Sequence, residues 1–384
     1  MTIIRRITRR AAVSCVAATL LAGCSTIDTS SAGNSGSTPA DDSTEYTAQL
    51  ESATAEFPTE FAGPTVPVAA PADAKVAVIT CYSILSGCVS PATAVQTAGE
   101  TLGWDVRVFD GGGSADTQIS QMLNAISWGA DIILNIAIDP NAVQDGLRAA
   151  QTAGIPVGAG SNGIDTPNPV TPTAPDRLGY AFDVAPDYAA LGAKAGEWIT
   201  ADSAGAANVV VYSDQTFPSV LALQDGLLSQ LAECDGCTVS DPQYFTGDQV
   251  SQVLPQSVVS YLRSNPETDY VFMPYDPAAA AVVPALQQAG YGEVKVIGVL
   301  GSQENLSFVR EGRVQVADAA YDNTYMGYAL IDQSVRTLTE QPLADPHGES
   351  LPFVVLDESN VPAEGSDWQA SYEYASVFEK LWQG

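Results

Sequence analysis

Across residues 75–162, apolar runs of three to five residues alternate with longer stretches of helical period. Val76-Ala77-Val78-Ile79, Val106-Arg107-Val108-Phe109, Ile132-Ile133-Leu134-Asn135-Ile136 and Ile155-Pro156-Val157 are short and rich in β-branched residues. Such runs suit strands of a parallel sheet covered on both faces, because a strand with one wet face alternates apolar with polar. Between them, Gln118, Met122, Ala125 and Ile126, then Val143, Leu147 and Ala150, recur at near-helical spacing and predict covering helices. Gly103, Gly129 and Gly154 stand where a left-handed residue ends each helix. The pattern predicts a doubly wound α/β domain, in which ligands sit outside the carboxyl ends of the strands. The loops that begin at Thr80, Asp110, Asp139 and Ala159 are therefore candidate site loops.

Residues 166–175 are Pro-rich and read as loop, and 178–183 as a strand leaving the first domain. A second α/β series follows. Its helical patterns centre near Ala190, Leu227, Val258, Ala281 and Phe308, and its strand patterns cover 208–212, 238–244, 270–273, 294–299 and 314–317. A helix over 323–338, a strand over 353–356 and an aromatic-rich helix over 367–382 complete the chain. With 384 residues and 46% hydrophobic composition, the chain can bury two ordinary cores.

Charge narrows the partners. The chain holds 45 acidic and 15 basic residues, a net charge of −30. Such a face repels nucleic acid and anionic membrane surface, so no nucleic-acid partner is expected. His347 is the only His. A Ser-His-Asp triad would have to use it, and a multi-His metal site is excluded. No Gly-x-Ser-x-Gly elbow occurs. Gly111-Gly112-Gly113-Ser114 follows a strand but lacks the Lys and the spacing of a phosphate loop, so it reads as a tight turn. No metal, no cofactor and no catalysis are expected.

Residues 1–23 read as an export signal, with Arg5, Arg6, Arg9 and Arg10 ahead of an apolar stretch over 11–22 that is too short to span a bilayer. Leu21-Ala22-Gly23-Cys24 is similar to the bacterial lipoprotein signal, in which Cys24 would be lipidated and become the mature N-terminus. That likeness implies a protein held on the extracytoplasmic face of the cell membrane by its acyl chains. The competing reading is a plain cleaved signal with Cys24 incidental. Residues 25–43 have almost nothing to bury and read as a flexible spacer. A short helix over 46–57 follows, and Phe57, Phe61 and Pro64 suggest a strap laid over the domain, so linker and strap run over 24–70.

Beyond Cys24, the exported chain keeps Cys81, Cys88, Cys234 and Cys237. An oxidising compartment would join them in two disulfides. Of three connectivities, sequence proximity favours Cys81 with Cys88 and Cys234 with Cys237. A redox Cys-x-x-Cys needs its first Cys at a helix N-terminus, whereas Cys234-Asp235-Gly236-Cys237 lies after a helix and before a strand, so a stapled turn is the better reading.

Val76 to Thr80, Ala153-Gly154-Ile155-Pro156-Val157, Val271-Phe272-Met273-Pro274-Tyr275-Asp276, Ala285-Leu286-Gln287-Gln288-Ala289-Gly290 and Val296-Ile297-Gly298, in this order, resemble type I periplasmic binding proteins of the ribose- and galactose-binding kind. These are the solute receptors of ABC importers. The resemblance implies two similar doubly wound lobes with mainly parallel sheets, joined by three crossovers near Asp183, Ala320 and Asp345. The lobes would then comprise 71–182 with about 320–345, and 183–319 with about 346–384. It also implies a monomer that closes on a small-molecule solute and presents a surface to the transmembrane subunits of an ABC permease.

Sugar binders of that kind grip hydroxyls with an Asp-Arg pair after the fourth strand, where this chain has Ser161-Asn162. The Arg expected in the helix after 208–212 is Leu223, the Asn expected before Asp276 is Tyr275, and the Asp expected after Gly298 is Leu300. The replacements make a less polar pocket. Candidate pocket residues are Tyr82, Ser83, Asp139, Asn141, Ser161, Asn162, Phe217, Leu223, Tyr275, Asp276, Leu300, Tyr321 and Asp322. Tyr275 leads them, since its face suits stacking on a ring. Core packing competes for each aromatic, and helix N-capping competes for Asp139 and Asp276. The expected function is a membrane-anchored solute receptor of an ABC importer taking a sugar-like, polyol or other hydroxylated cyclic ligand. The alternatives are a ligand sensor signalling to a membrane partner and an exported hydrolase.

Overall fold

The computed structural model describes residues 42–55, 57–163, 176–363 and 365–384. The expected signal over 1–23, Cys24, most of the spacer and the Pro-rich stretch 166–175 lie outside the described residues. The fold is α/β, with two lobes built on mainly parallel sheets.

The first sheet holds β1 (Lys75–Thr80), β2 (Asp105–Asp110), β3 (Ile132–Ile136), β4 (Val157–Gly160) and β5 (Asp183–Val184). Their order is β2-β1-β3-β4-β5, and every neighbour is parallel. Helices α2 (Ser86–Thr101), α3 (Ala115–Trp128) and α4 (Gln144–Ala153) connect the first four strands. β3 and β4 are buried throughout, and β1 after its first residue, which is why they read as unbroken apolar runs. β2 lies at the edge and is largely exposed. Gly129 and Gly154 take the left-handed conformation and end α3 and α4 as their positions predict.

The second sheet repeats this plan. It contains β6 (Asn208–Ser213), β7 (Thr238–Val239), β9 (Tyr270–Phe272), β10 (Lys295–Leu300), β11 (Gln315–Tyr321) and β12 (Phe353–Leu356), in the order β12-β11-β10-β9-β6-β7, with β8 (Gln243–Tyr244) beside β6. Only β12 is antiparallel. Helices α5 (Tyr188–Asp202), α6 (Pro218–Leu231), α7 (Leu254–Ser264), α8 (Asp276–Ala289) and α9 (Gln303–Arg310) surround it. In each lobe the strand order reverses beside the founding strand, between β1 and β3 and between β6 and β9, and that is where a crevice opens.

The chain crosses between lobes after β5, after β11 and before β12. Helix α10 (Asn323–Leu338) packs on α2, where Gly327 leaves room for Ala94 and Val95. The expected assignment of 346–384 to the second lobe needs correction. β12 lies there, but α11 (Ala375–Leu381) returns to α10, with Tyr328 and Trp382 stacked at 5.9 Å and Tyr325 edge-on to Phe378 at 5.3 Å. Aromatic burial drives this fourth crossing. The helix expected over 367–382 shrinks to α11 because the preceding residues bond elsewhere: Ala370 N–H and the Tyr374 hydroxyl donate to Asp322, and Asp367 accepts from Gln303 N–H.

Three smaller differences have local causes. The strand expected over 155–157 is shifted to 157–160, since Pro156 has no N–H and Gly158 makes room for Phe182. The strand expected over 238–244 breaks around Pro242 into β7 and β8. Of the strand expected over 178–183 only Asp183 falls in β5, which continues to Val184, while Ala181 N–H and Phe182 O still bond to Val157 O and Ala159 N–H of β4.

The segment before β1 ties both lobes. Helix α1 (Asp42–Ala53) lies on α5, where Lys194 Nζ donates to Ser52 O at 2.9 Å. Phe57 bridges to Phe353 in β12, Phe61 packs edge-on against Phe378, and Val68 and Ala70 N–H groups donate to Leu381 and Trp382 carbonyls. Cys81 is bonded to Cys88 and Cys234 to Cys237, with Cα separations of 5.5 and 5.4 Å. The second pair staples the turn between α6 and β7.

Candidate functional site

The two crevices face one another and enclose an inner chamber of ≈ 50 Å³, which adjoins an outer chamber of ≈ 430 Å³ and shares Cys81, Leu85, Ala137 and Phe217 with it. The first lobe contributes the loop after β1, stapled by Cys81–Cys88, together with Ala137 and Ser161 after β3 and β4. The second lobe contributes Phe217 and the first turns of α6, Pro274 to Pro277 after β9, and Leu300 after β10. Tyr188 and Tyr321 stand at the first two crossovers, after β5 and at the end of β11, and line the chamber.

Backbone strain collects at this chamber. Ala137 (φ 51°), Ser161 (φ 63°) and Leu300 (φ 132°) are non-glycine residues at positive φ, and all three line it. Such conformations cost about 1–3 kcal/mol each and persist where the surrounding structure holds them, as at ligand clamps. At Leu300 the side chain reaches across the cleft to Gly87 of the first lobe, where a Cβ would lie 3.3 Å from it. The lobes therefore meet directly.

The wall is mostly apolar, with hydroxyls from Ser161, Ser219, Tyr188, Tyr275 and Tyr321. Ser161 Oγ and the Tyr188 hydroxyl are 2.7 Å apart. Tyr321 lies edge-on to Tyr188 at 5.6 Å. Burial pushes both phenols above their usual range. The Tyr275 hydroxyl donates to Asp214 at 3.1 Å, and Phe217 and Phe245 pack on its ring at 6.2 and 5.7 Å. Burial, then the charge of Asp214, raises the Tyr275 pKa. Asp214 is itself raised by burial, against hydrogen bonds from Thr216 and Tyr275 that lower it.

Of the thirteen residues expected from sequence, Ser161, Phe217, Leu223, Tyr275, Leu300 and Tyr321 line the inner chamber, and Tyr82 and Asp139 line the outer one. Five do not line either. Ser83 is held at the surface by Asp110, whose carboxyl its hydroxyl draws below the usual range. Asn141 bonds to Asp139, and Asn162 is buried against Asp183. Asp276 turns away to accept from Ser302 N–H at 2.7 Å, and burial with a neighbouring Asp318 drives its pKa well up. Asp322 N-caps α10 through Tyr325 N–H and also holds Ala370 and Tyr374. For Asp276 and Asp322 the structural role thus accounts for the carboxylate.

Sequence reasoning passed over Leu85, Val220, Pro277 and Tyr188 in the inner chamber and Asp248 in the outer one. Tyr188 carried a signal: it opens a helix directly after the first crossover, and its hydroxyl therefore points back to the hinge. Leu85 and Val220 look like ordinary core residues in sequence.

A family model described as periplasmic binding protein domain matches residues 78–342. The xylitol-binding protein of Mycolicibacterium smegmatis is 22% identical over 247 residues, which cover 64% of this chain and 67% of that protein. Among solved structures, an ABC transporter solute binding protein from Agrobacterium vitis bound with alpha-D-tagatopyranose is similar with a TM-score of 0.65. It shares 20% identity and covers 75% of this chain and 95% of its own. The Caulobacter myo-inositol binding protein bound to myo-inositol has a TM-score of 0.63 at 18% identity, over 75% and 94% of the two chains.

Proposed function

The chain belongs to the periplasmic binding protein domain family, a family of solute-binding proteins and not of enzymes, and from that premise we propose that it is the lipid-anchored, extracytoplasmic receptor of an ABC importer. It traps a small hydroxylated cyclic ligand between its lobes and hands it to the transmembrane subunits of a permease. One observation carries the reading: the two strand-order reversals face each other, and their loops jointly enclose a chamber that neither lobe forms alone. Xylitol, tagatose and inositol in the relatives' names support a neutral, hydroxylated solute.

The mechanism follows from the geometry. A ligand seated against Tyr275 and Phe217 on one side and Ser161 and Leu85 on the other interacts with both lobes only when they are closed. It therefore binds the closed state more tightly and shifts the population toward it. Closure creates a composite surface for a permease to read. Cys24, if acylated, holds the molecule at the membrane, and the acidic body stays off anionic headgroups.

The experiment is a thermal-shift titration of the mature chain with xylitol, tagatose, myo-inositol, simple cyclic alcohols and their mixtures. A ligand at a hundred times its dissociation constant adds about 2.7 kcal/mol and raises the melting temperature. Tyr275→Ala is expected to weaken that ligand by about tenfold or more, since it removes a buried aromatic wall. In cells, Cys24→Ser is expected to move the protein from the membrane to the soluble fraction. A folded chain that no solute stabilises, or one that stays on the membrane without Cys24, goes against the corresponding half of the proposal.

A further inference from the structure

The wall of the inner chamber contains a covalent bond, and, resting on the solute-binding reading, that bond belongs to the binding machinery. Cys81, directly after β1, and Cys88, in the first turn of α2, both line the chamber, as do Leu85 and Gly87 between them. Ala137 and Ser161 are the other first-lobe residues there among the described residues. Most of that lobe's share of the wall is therefore the ring 81–88. Gly87 meets Leu300 of the second lobe, and Tyr82 and Leu85 also line the outer chamber.

The ring depends on this bond for its shape. Helix α2 follows Leu85, which gives no side-chain cap to the first N–H groups of the helix. The backbone bonds of Leu85 are local: its N–H donates to Tyr82 O, and its O accepts from Cys88 and Val89 N–H. Ser83 ties the leading half of the ring to Asp110 at the end of β2. The disulfide fixes the trailing half by joining the end of β1 to α2, with the two Cα atoms 5.5 Å apart. Both cysteines are only 2% exposed in this closed form, so the approach to the sulfurs from the chamber opens when the lobes part.

We propose that Cys81 and Cys88 are positioning residues of the solute site, and that their bond and a bound solute stabilise one another. With the bond intact, the first-lobe wall is preformed. With two thiols in its place, residues 84–87 sample more positions in the open form, and closure on a solute must order them, which lowers affinity by about tenfold. Linkage makes the effect reciprocal: a solute that binds the disulfide form tenfold tighter makes the bond harder to reduce by the same factor, about 30 mV for a two-electron couple. Cys234–Cys237 carries no such coupling, since it staples the turn between α6 and β7 and lines neither chamber.

Reduction by dithiothreitol tests this. The reagent passes two electrons and two protons to the S–S bond, two cysteine thiols form, and the dithiol closes to its own cyclic disulfide. The mature chain is reduced with and without the tightest-binding solute of the thermal-shift titration, be it xylitol, tagatose, myo-inositol or a simple cyclic alcohol. Alkylation and peptide mass spectrometry follow each cysteine pair. The solute is expected to slow reduction of Cys81–Cys88 by about tenfold and to leave Cys234–Cys237 unchanged. Calorimetry is expected to give the Cys81→Ser/Cys88→Ser chain a dissociation constant about tenfold higher, with Cys234→Ser/Cys237→Ser like wild type. A solute that protects both pairs alike acts through global stability and overturns the inference, as does one that protects neither. Equal affinity in the two variants also overturns it. If Cys81→Ser/Cys88→Ser does not fold, protection in the wild-type chain decides. If no solute of the titration binds the oxidised chain, the solute-binding reading fails and the inference fails with it.

Discussion

Stability is expected to fall by about 4 kcal/mol between pH 4 and pH 8 through Asp183 alone, and Asp183→Asn is expected to abolish that part of the loss. Asp183 ends the first sheet at the first crossover and is 4% exposed. Its Oδ1 accepts from Asn162 N–H at 3.3 Å, and its Oδ2 has no hydrogen-bond partner. Burial pushes its pKa up to about 7 against a few lowering hydrogen bonds. The sign follows from proton counting. Between the unfolded value near 4 and the folded value, the folded chain keeps a proton that the unfolded chain has released, so each pH unit of increase destabilises by about 1.4 kcal/mol. The effect is absent below about pH 4 and complete above about pH 7. Asp318 and Asp322, each raised by burial to about 6, act in the same direction, which is why the substitution is needed to isolate Asp183. Urea unfolding at pH 5 and pH 8 of both chains measures it. Parallel pH profiles for wild type and Asp183→Asn would show that Asp183 ionises freely in the folded protein.

The fold was legible because parallel sheets bury both faces of a strand, and unbroken β-branched runs such as Ile132-Ile133-Leu134, only a few residues long and flanked by helical periods, suit little else in an α/β chain. The positions of the site loops followed from topology, since Tyr275, Phe217, Leu300 and Tyr321 all sit where a strand ends at the crevice. What stayed hidden has two physical sources. Strand-end position does not say which way a carboxylate turns, and Asp276 and Asp322 are claimed by backbone N–H groups that no sequence pattern discloses. Nor is periodicity able to tell a leucine facing the sheet from one facing a cleft, which is why Leu85 and Val220 were passed over. The return of the last helix to the first lobe is a third case. It depends on Tyr325, Tyr328, Phe378 and Trp382 finding one another across a long stretch of sequence, a contact only the tertiary fold specifies.

Gly226→Ala is expected to destabilise the protein by about 3 kcal/mol or more, the opposite of what the same change does in an ordinary helix. In a helix interior, Ala is more stable than Gly by up to about 1 kcal/mol. Here α5 and α6 touch backbone to backbone. A Cβ on Gly226 would lie 2.0 Å from Ala189 O, and one on Gly192 would lie 2.0 Å from Leu223 O. Neither obstacle is the flexible end of a side chain, so the helices must separate, and overpacking of this kind costs roughly 1–3 kcal/mol and sometimes more. The consequence reaches the site. Helix α6 carries Ser219, Val220 and Leu223, and α5 begins with Tyr188, so separation withdraws one wall of the chamber from the other. Ligand affinity should therefore fall together with stability, whereas Gly312→Ala, at a surface position with open space, should cost only its left-handed backbone strain and leave binding unchanged. Chemical denaturation of the two variants separates these outcomes, and a Gly226→Ala chain as stable as wild type would mean that α5 and α6 do not pack this closely.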